Sequence, residues 1–144
     1  MKTNVSLLFV LLMAFTVSSA CAQQMERSPS PEGASAYIIS PAHGEVISGP
    51  VTIKFGLQGM GIAPAGIKYP DAGHHHLLLN ATGLPDLNMP IPSDAVHIHF
   101  GKGQTETTME LEPGTYTLQI LLGDQNHVPH DPPVMSEPIT IVVK

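Results

Sequence analysis

The chain has 144 residues, of which 42% are hydrophobic and only 12% charged, with a formal net charge of −6 when its eight histidines are neutral. The acidic balance and the lack of a basic stripe argue against nucleic acid or anionic lipid as a partner. A single cysteine, Cys21, excludes both an intramolecular disulfide and a cysteine-rich structural zinc site.

The first segment reads as an export signal. Lys2 supplies the positive start, Val5 to Val17 is almost unbroken apolar sequence, and Ser18-Ser19-Ala20-Cys21-Ala22 offers small residues for cleavage. That run is short for a membrane span of about 20 residues, and no later segment reaches that length, so no transmembrane segment is expected in the mature chain. Cleavage after Ala22 is the preferred route. The alternative is a lipoprotein box with an acylated, retained Cys21, although Ser18 stands where such a box wants a bulky aliphatic residue. Loss of Lys2, the one charge in residues 1–22, takes the mature charge from −6 to −7. Either route implies an exported protein, with the periplasm as the expected compartment.

Residues 23–34 (Q-Q-M-E-R-S-P-S-P-E-G-A) are polar, hold two prolines and show no apolar periodicity. They read as a disordered tether. Residues 35–144, about 110 in number, suffice for one domain of ordinary size. Short strands are expected at Ala36–Ser40, Val51–Gln58, His74–Asn80, Val96–Phe100, Thr105–Leu111, Thr115–Leu122 and Ile139–Lys144. Several alternate at period two, as in Val51, Ile53, Phe55, Leu57. No stretch has useful helical spacing, and fourteen prolines disfavour long helices. An all-β fold follows, specifically a single immunoglobulin-like sandwich of about seven strands. Three Gly/Pro-rich loops, 59–73, 81–94 and 123–137, are long and moderately apolar, which favours packed, functional loops.

Seven of the eight histidines fall between His74 and His130, in G-H-H-H-L-L-L, V-H-I-H-F and D-Q-N-H-V-P-H-D. Residues i and i+2 on a strand share a face. Val96, Ile98 and Phe100 facing the core would turn His97 and His99 outward together. His74 and His76 share a face with Leu78, while His75 shares the other with Leu77 and Leu79. Two same-face pairs could present four imidazole nitrogens to one ion, with His127 and His130 as further ligands. Asp71, Asp94, Asp124 and Asp131 flank the clusters and could accept the remaining ring N–H groups. Met60, Met89 and Met135, one in each long loop, are gap-fillers by default and soft Cu(I) ligands in the functional reading. His43, in a turn, and His75, at the core edge, read as structural. Imidazole-only donors in an exported protein favour copper, with zinc second.

These segments, together with G-L-Q-G-M-G-I-A-P-A-G, H-I-H-F-G-K-G-Q-T-E-T-T and L-L-G-D-Q-N-H-V-P-H-D-P-P-V-M-S, closely resemble the exported bacterial proteins grouped as domain of unknown function 4399. The resemblance spans nearly all of Ser40 to Lys144 and implies one exported domain. It implies little about activity. Two functions are therefore carried forward. One is a periplasmic metal-binding protein, a copper carrier or buffer handing its ion to an unknown protein partner. The other is a non-catalytic envelope interaction or scaffold module whose histidines are structural. No nucleophile elbow, identifiable carboxylate pair or phosphate-cradling glycine loop is present, so no enzyme is expected.

Overall fold

Alternation in Val51–Gln58 sets the pattern for the whole domain. Val51, Ile53 and Phe55 are buried, while Thr52 and Lys54 between them face solvent, as a pleated strand with one apolar face requires. The computed structural model describes residues 25–144; the export segment 1–22 and the candidate anchor Cys21 lie outside the described residues. Nine strands run in chain order: β1 (Ser35–Ser40), β2 (Val46–Ile47), β3 (Val51–Gln58), β4 (Gly61–Ile62), β5 (Ala72–Leu79), β6 (His97–His99), β7 (Glu106–Met109), β8 (Gly114–Gly123) and β9 (Ile139–Val143). Each of the seven expected segments holds a strand, and β2 and β4 are short additions. The described residues contain no helix, so none is long and apolar enough to cross a membrane.

The strands form two sheets. One has the order β1-β3-β7; the other has the order β2-β9-β8-β5-β4, with β6 also paired to β5. Ala36, Val51, Ile53 and Phe55 of the smaller sheet meet Leu77, Leu118, Ile120, Leu122, Ile141 and Val143 of the larger in one apolar core. Burying a Leu, Ile or Phe side chain contributes about 1.5–3 kcal/mol, so this layer is the main source of stability. Across β5 from that core, Leu78, Leu121 and Ile91 form a smaller cluster. His74, His76 and His99 share this second face.

The three long loops are tied to the sheets by backbone hydrogen bonds, but packing is partial: Ile67, Tyr69, Leu84 and Met89 stay exposed. Ala63 N–H bonds the Gly73 carbonyl, Ala65 N–H that of Gly101, and Gly66 N–H that of Gln125. The second loop buries Ile91, whose N–H donates to the His127 carbonyl at 2.8 Å. The third returns along β8, with Leu122 N–H bonded to Val134 O and Ser136 N–H to Ile120 O.

The expected disordered tether is corrected from Arg27 onward. Ser30 N–H bonds Asp131 O at 3.0 Å and Asp131 N–H bonds Ser28 O at 2.9 Å, making a parallel bridge at Pro29–Asp131. Arg27 adds hydrogen bonds to the carbonyls of Pro129 and His130. The segment lacks an apolar face but finds backbone partners in the third loop, which composition alone does not reveal.

Candidate metal centre

β5 is hydrogen-bonded along both edges, and its register fixes which rings meet. His76 lies opposite His99 of β6 on one side and Leu121 of β8 on the other, and His74 lies opposite Gly123. His74 and His76 are fully buried on the face away from the main core, and His99 and His127 are partly exposed beside them. The ring centroid of His74 is 4.8 Å from that of His76 and 5.0 Å from those of His99 and His127. His76 and His99 are 5.1 Å apart, His99 and His127 4.8 Å, and His76 and His127 6.0 Å. Three chain segments thus deliver four imidazoles to one place.

His74, His99 and His127 each offer a nitrogen within 4.8 Å of the others. Such a triangle has its middle at most about 2.8 Å from any corner, against about 2.0–2.1 Å for a zinc–imidazole bond. Closing on an ion therefore asks each ring to move by about 0.7 Å or less. His76 stands just outside the triangle, as the deeper fourth ring.

Both ring nitrogens of His74, both of His76 and Nε2 of His99 are buried without a hydrogen-bond partner among the described residues. Each such group costs about 1–3 kcal/mol if left unpaired. Burial, reinforced by the rings of His127 and His99, lowers the pKa of His74 to about 4. Burial, then the neighbouring His74, His99 and His127, takes His76 down to about 2. His99 is lowered by burial and by His127. At neutral pH these rings are uncharged, which is the form that coordinates metals.

Two glycines make the space. A Cβ on Gly123 would lie 2.7 Å from His76 Cε1 and 3.2 Å from His127 Cα. One on Gly101 would strike the His99 ring and lie 3.2 Å from Ala65 Cβ. Neither glycine was singled out from sequence. The available signal was a glycine directly following a histidine strand (H-F-G) and another closing a strand interior (L-L-G-D), where close approach is a standard reason for glycine.

The remaining expected residues are placed elsewhere. His97 lies opposite Leu78, one step along β5 from the rings, and its Nδ1 is 3.0 Å from Asp94 Oδ1. His130 sits on the other side of the sheet: its Cε1 is 2.9 Å from where a Gly73 Cβ would lie, beside Leu122 of the main core. Neither joins the group formed by His74, His99 and His127. His130 borders a separate cavity of about 760 Å³, lined also by Arg27, Lys68 and Tyr69. His75 packs against Phe55 at 5.1 Å and His43 Nδ1 accepts the Thr140 N–H at 3.1 Å, so both are structural as expected.

None of the four aspartates caps a clustered ring among the described residues. Asp94 holds His97 together with the amides of Val96 and His97. Asp131 pairs with Arg27 at 3.5 Å. Asp71 adopts a left-handed backbone (φ 49°) and offers its carbonyl to Gly61. Asp124 is buried and builds the turn that carries His127: Oδ1 accepts Asn126 N–H at 2.8 Å and Val128 N–H at 3.0 Å. Of the methionines, Met60 packs on the main core and Met135 on the Leu78–Ile91–Leu121 cluster. Met89 is largely exposed, two residues before the Ile91 that holds His127.

The chain belongs to the family described as Domain of unknown function (DUF4399), whose model matches residues 53–144. All four clustered histidines and both glycines lie within that span. No curated protein and no solved structure matches the chain.

Proposed function

We propose that this family member is an exported, periplasmic metal-binding protein, a copper carrier or buffer, in which His74, His99 and His127 ligate the ion and His76 completes the set. One observation carries the reading: the clustered rings of His74, His76 and His99, from two separate strands, hold five buried nitrogens without protein partners. A cation would give one nitrogen of each ring a coordination bond. Copper is preferred because imidazole-only sites follow the usual affinity order, in which copper binds most tightly; zinc is second. The two-sheet architecture is read as an immunoglobulin-like sandwich carrying the site on its outer face. The buried pair on β5 forms a fixed floor, while the half-exposed His99 and His127 form the side through which an ion enters and leaves.

Titration calorimetry of the whole chain with Cu(II) and Zn(II) tests this. Tight one-to-one binding is expected, abolished in His74→Ala/His99→Ala; no binding in the parent, or unchanged binding in the variant, refutes it.

The competing reading, an envelope scaffold with structural histidines, has support in His43, His75 and His97, which do hold backbone or carboxylate partners. It gives the four clustered rings no such employment. Under it, chelators leave the melting temperature unchanged.

A further inference from the structure

We propose that the N-terminal strap is a working part of this centre: Ser28 is a positioning residue that, through Asp124, holds the turn carrying His127, so Cu(II) occupancy and strap docking reinforce each other. The inference rests on the metal-binding reading above. Its own observations are separate.

Asp124 is a buried carboxylate with three donors. Two are amides of its own turn; the third is Ser28 Oγ, 2.7 Å from Oδ2 and 96 residues away in sequence. Without that hydroxyl, Oδ2 has no donor among the described residues. A buried carboxylate oxygen left unpaired is strongly unfavourable, and the cheapest relief is for the carboxylate to turn and release Asn126 and Val128. Those amides flank His127, whose N–H also bonds the Asp124 carbonyl at 2.9 Å and whose backbone is left-handed at φ 67°. A ligand in that conformation depends on the turn around it.

The strap grips the same loop on its far side. Arg27 holds the carbonyls of Pro129 and His130, Ser28 O accepts the Asp131 N–H, and Ser30 Oγ donates to Pro132 O at 2.7 Å. His127 is thus bracketed by strap contacts at residue 124 and at residues 129–132. The strap residues lie outside the family match at 53–144, and Asp124 lies inside it. What precedes the family domain therefore finishes its site.

The test is Cu(II) titration of the whole chain and of three variants. Ser28→Ala is expected to weaken binding about tenfold, the lower range for a residue that orients a ligand from behind. Ser28→Thr, which keeps the hydroxyl, restores most of it. Ser30→Ala, which loses only the Pro132 contact, stays within about twofold of the parent. Reciprocity supplies a readout that needs no variant: bound Cu(II) slows tryptic cleavage of the Arg27–Ser28 bond by a similar factor. Cleavage there indifferent to Cu(II), or Ser28→Ala binding like the parent, overturns the strap proposal and leaves the metal reading standing. A parent that binds no Cu(II) overturns both. Should Ser28→Ala fail to fold, the cleavage assay on the unaltered chain decides alone.

Discussion

On one face of β5, His75 lies against Phe55 and turns Nδ1 toward the Gln104 carbonyl at 3.3 Å, leaving only its Nε2 without a partner. On the other face, His74 and His76 sit among His99 and His127, with no protein partner for any of their four ring nitrogens. All three are almost wholly buried, and they are consecutive in sequence. Burial therefore separates nothing here. What distinguishes the faces is whether the surrounding chain supplies ordinary neighbours for an imidazole or only more imidazoles. The first is how a core residue is accommodated; the second is the arrangement proposed above as a ligand set.

The contrast is sharpest if each face is emptied in turn. His74→Ala with His99→Ala should lower Cu(II) affinity by at least about a thousandfold, since two of the four proposed ligands go. His75→Ala should leave affinity within about threefold and cost about 2–3 kcal/mol of stability through the cavity beside Phe55. Calorimetric titration and urea unfolding on the same samples read both; a His75→Ala variant that loses the metal erases the distinction. Next come the glycines. Gly123→Ala and Gly101→Ala place a methyl group into the ring space and should each weaken Cu(II) binding about 10–100-fold, with circular dichroism unchanged.

Proton competition gives the third effect. In the unfolded chain His74 titrates near the ordinary 6.5, while in the fold it stays neutral down to about 4. Below pH 6.5 the unfolded state takes up the proton and the folded state does not. The metal-free protein is therefore most stable above that pH and loses stability as pH falls toward 4, by about 3 kcal/mol from His74 alone. His76, lowered to about 2, continues the loss further into acid. Urea unfolding at pH 7, 5.5 and 4.5 measures it; a flat profile means the rings have polar partners after all. The smallest effect belongs to His97→Ala, which removes one partly exposed contact with Asp94. It should cost about 1 kcal/mol or less, with Cu(II) affinity within twofold by titration.

Much of the arrangement was legible before any coordinates. Gly/Pro breaks, with period-two alternation in several segments, located the principal strands, and the i, i+2 rule put His74 and His76 together and His75 opposite. Register was not legible. Pairing of His76 with His99, rather than with His97, depends on how the 80–96 loop returns the chain, and a two-residue offset carries His97 beyond reach. Nor could sequence say that His130 crosses to the other side of the sheet while His127, three residues earlier, stays. That division is made by the Asp124 turn. The docking of Arg27 to Ser30 was hidden for a related reason: its partners are mostly main-chain groups, which leave no mark on composition.

His127 holds its backbone at φ 67°, a conformation that asparagine or glycine adopts with ease and a histidine adopts at a cost of about 1 kcal/mol or more. His127→Asn should therefore make the loop more comfortable while deleting a proposed ligand. If the metal-binding proposal holds, stability and ion affinity would move in opposite directions at a single codon, and a search for hardier versions of this protein would select against a proposed ligand.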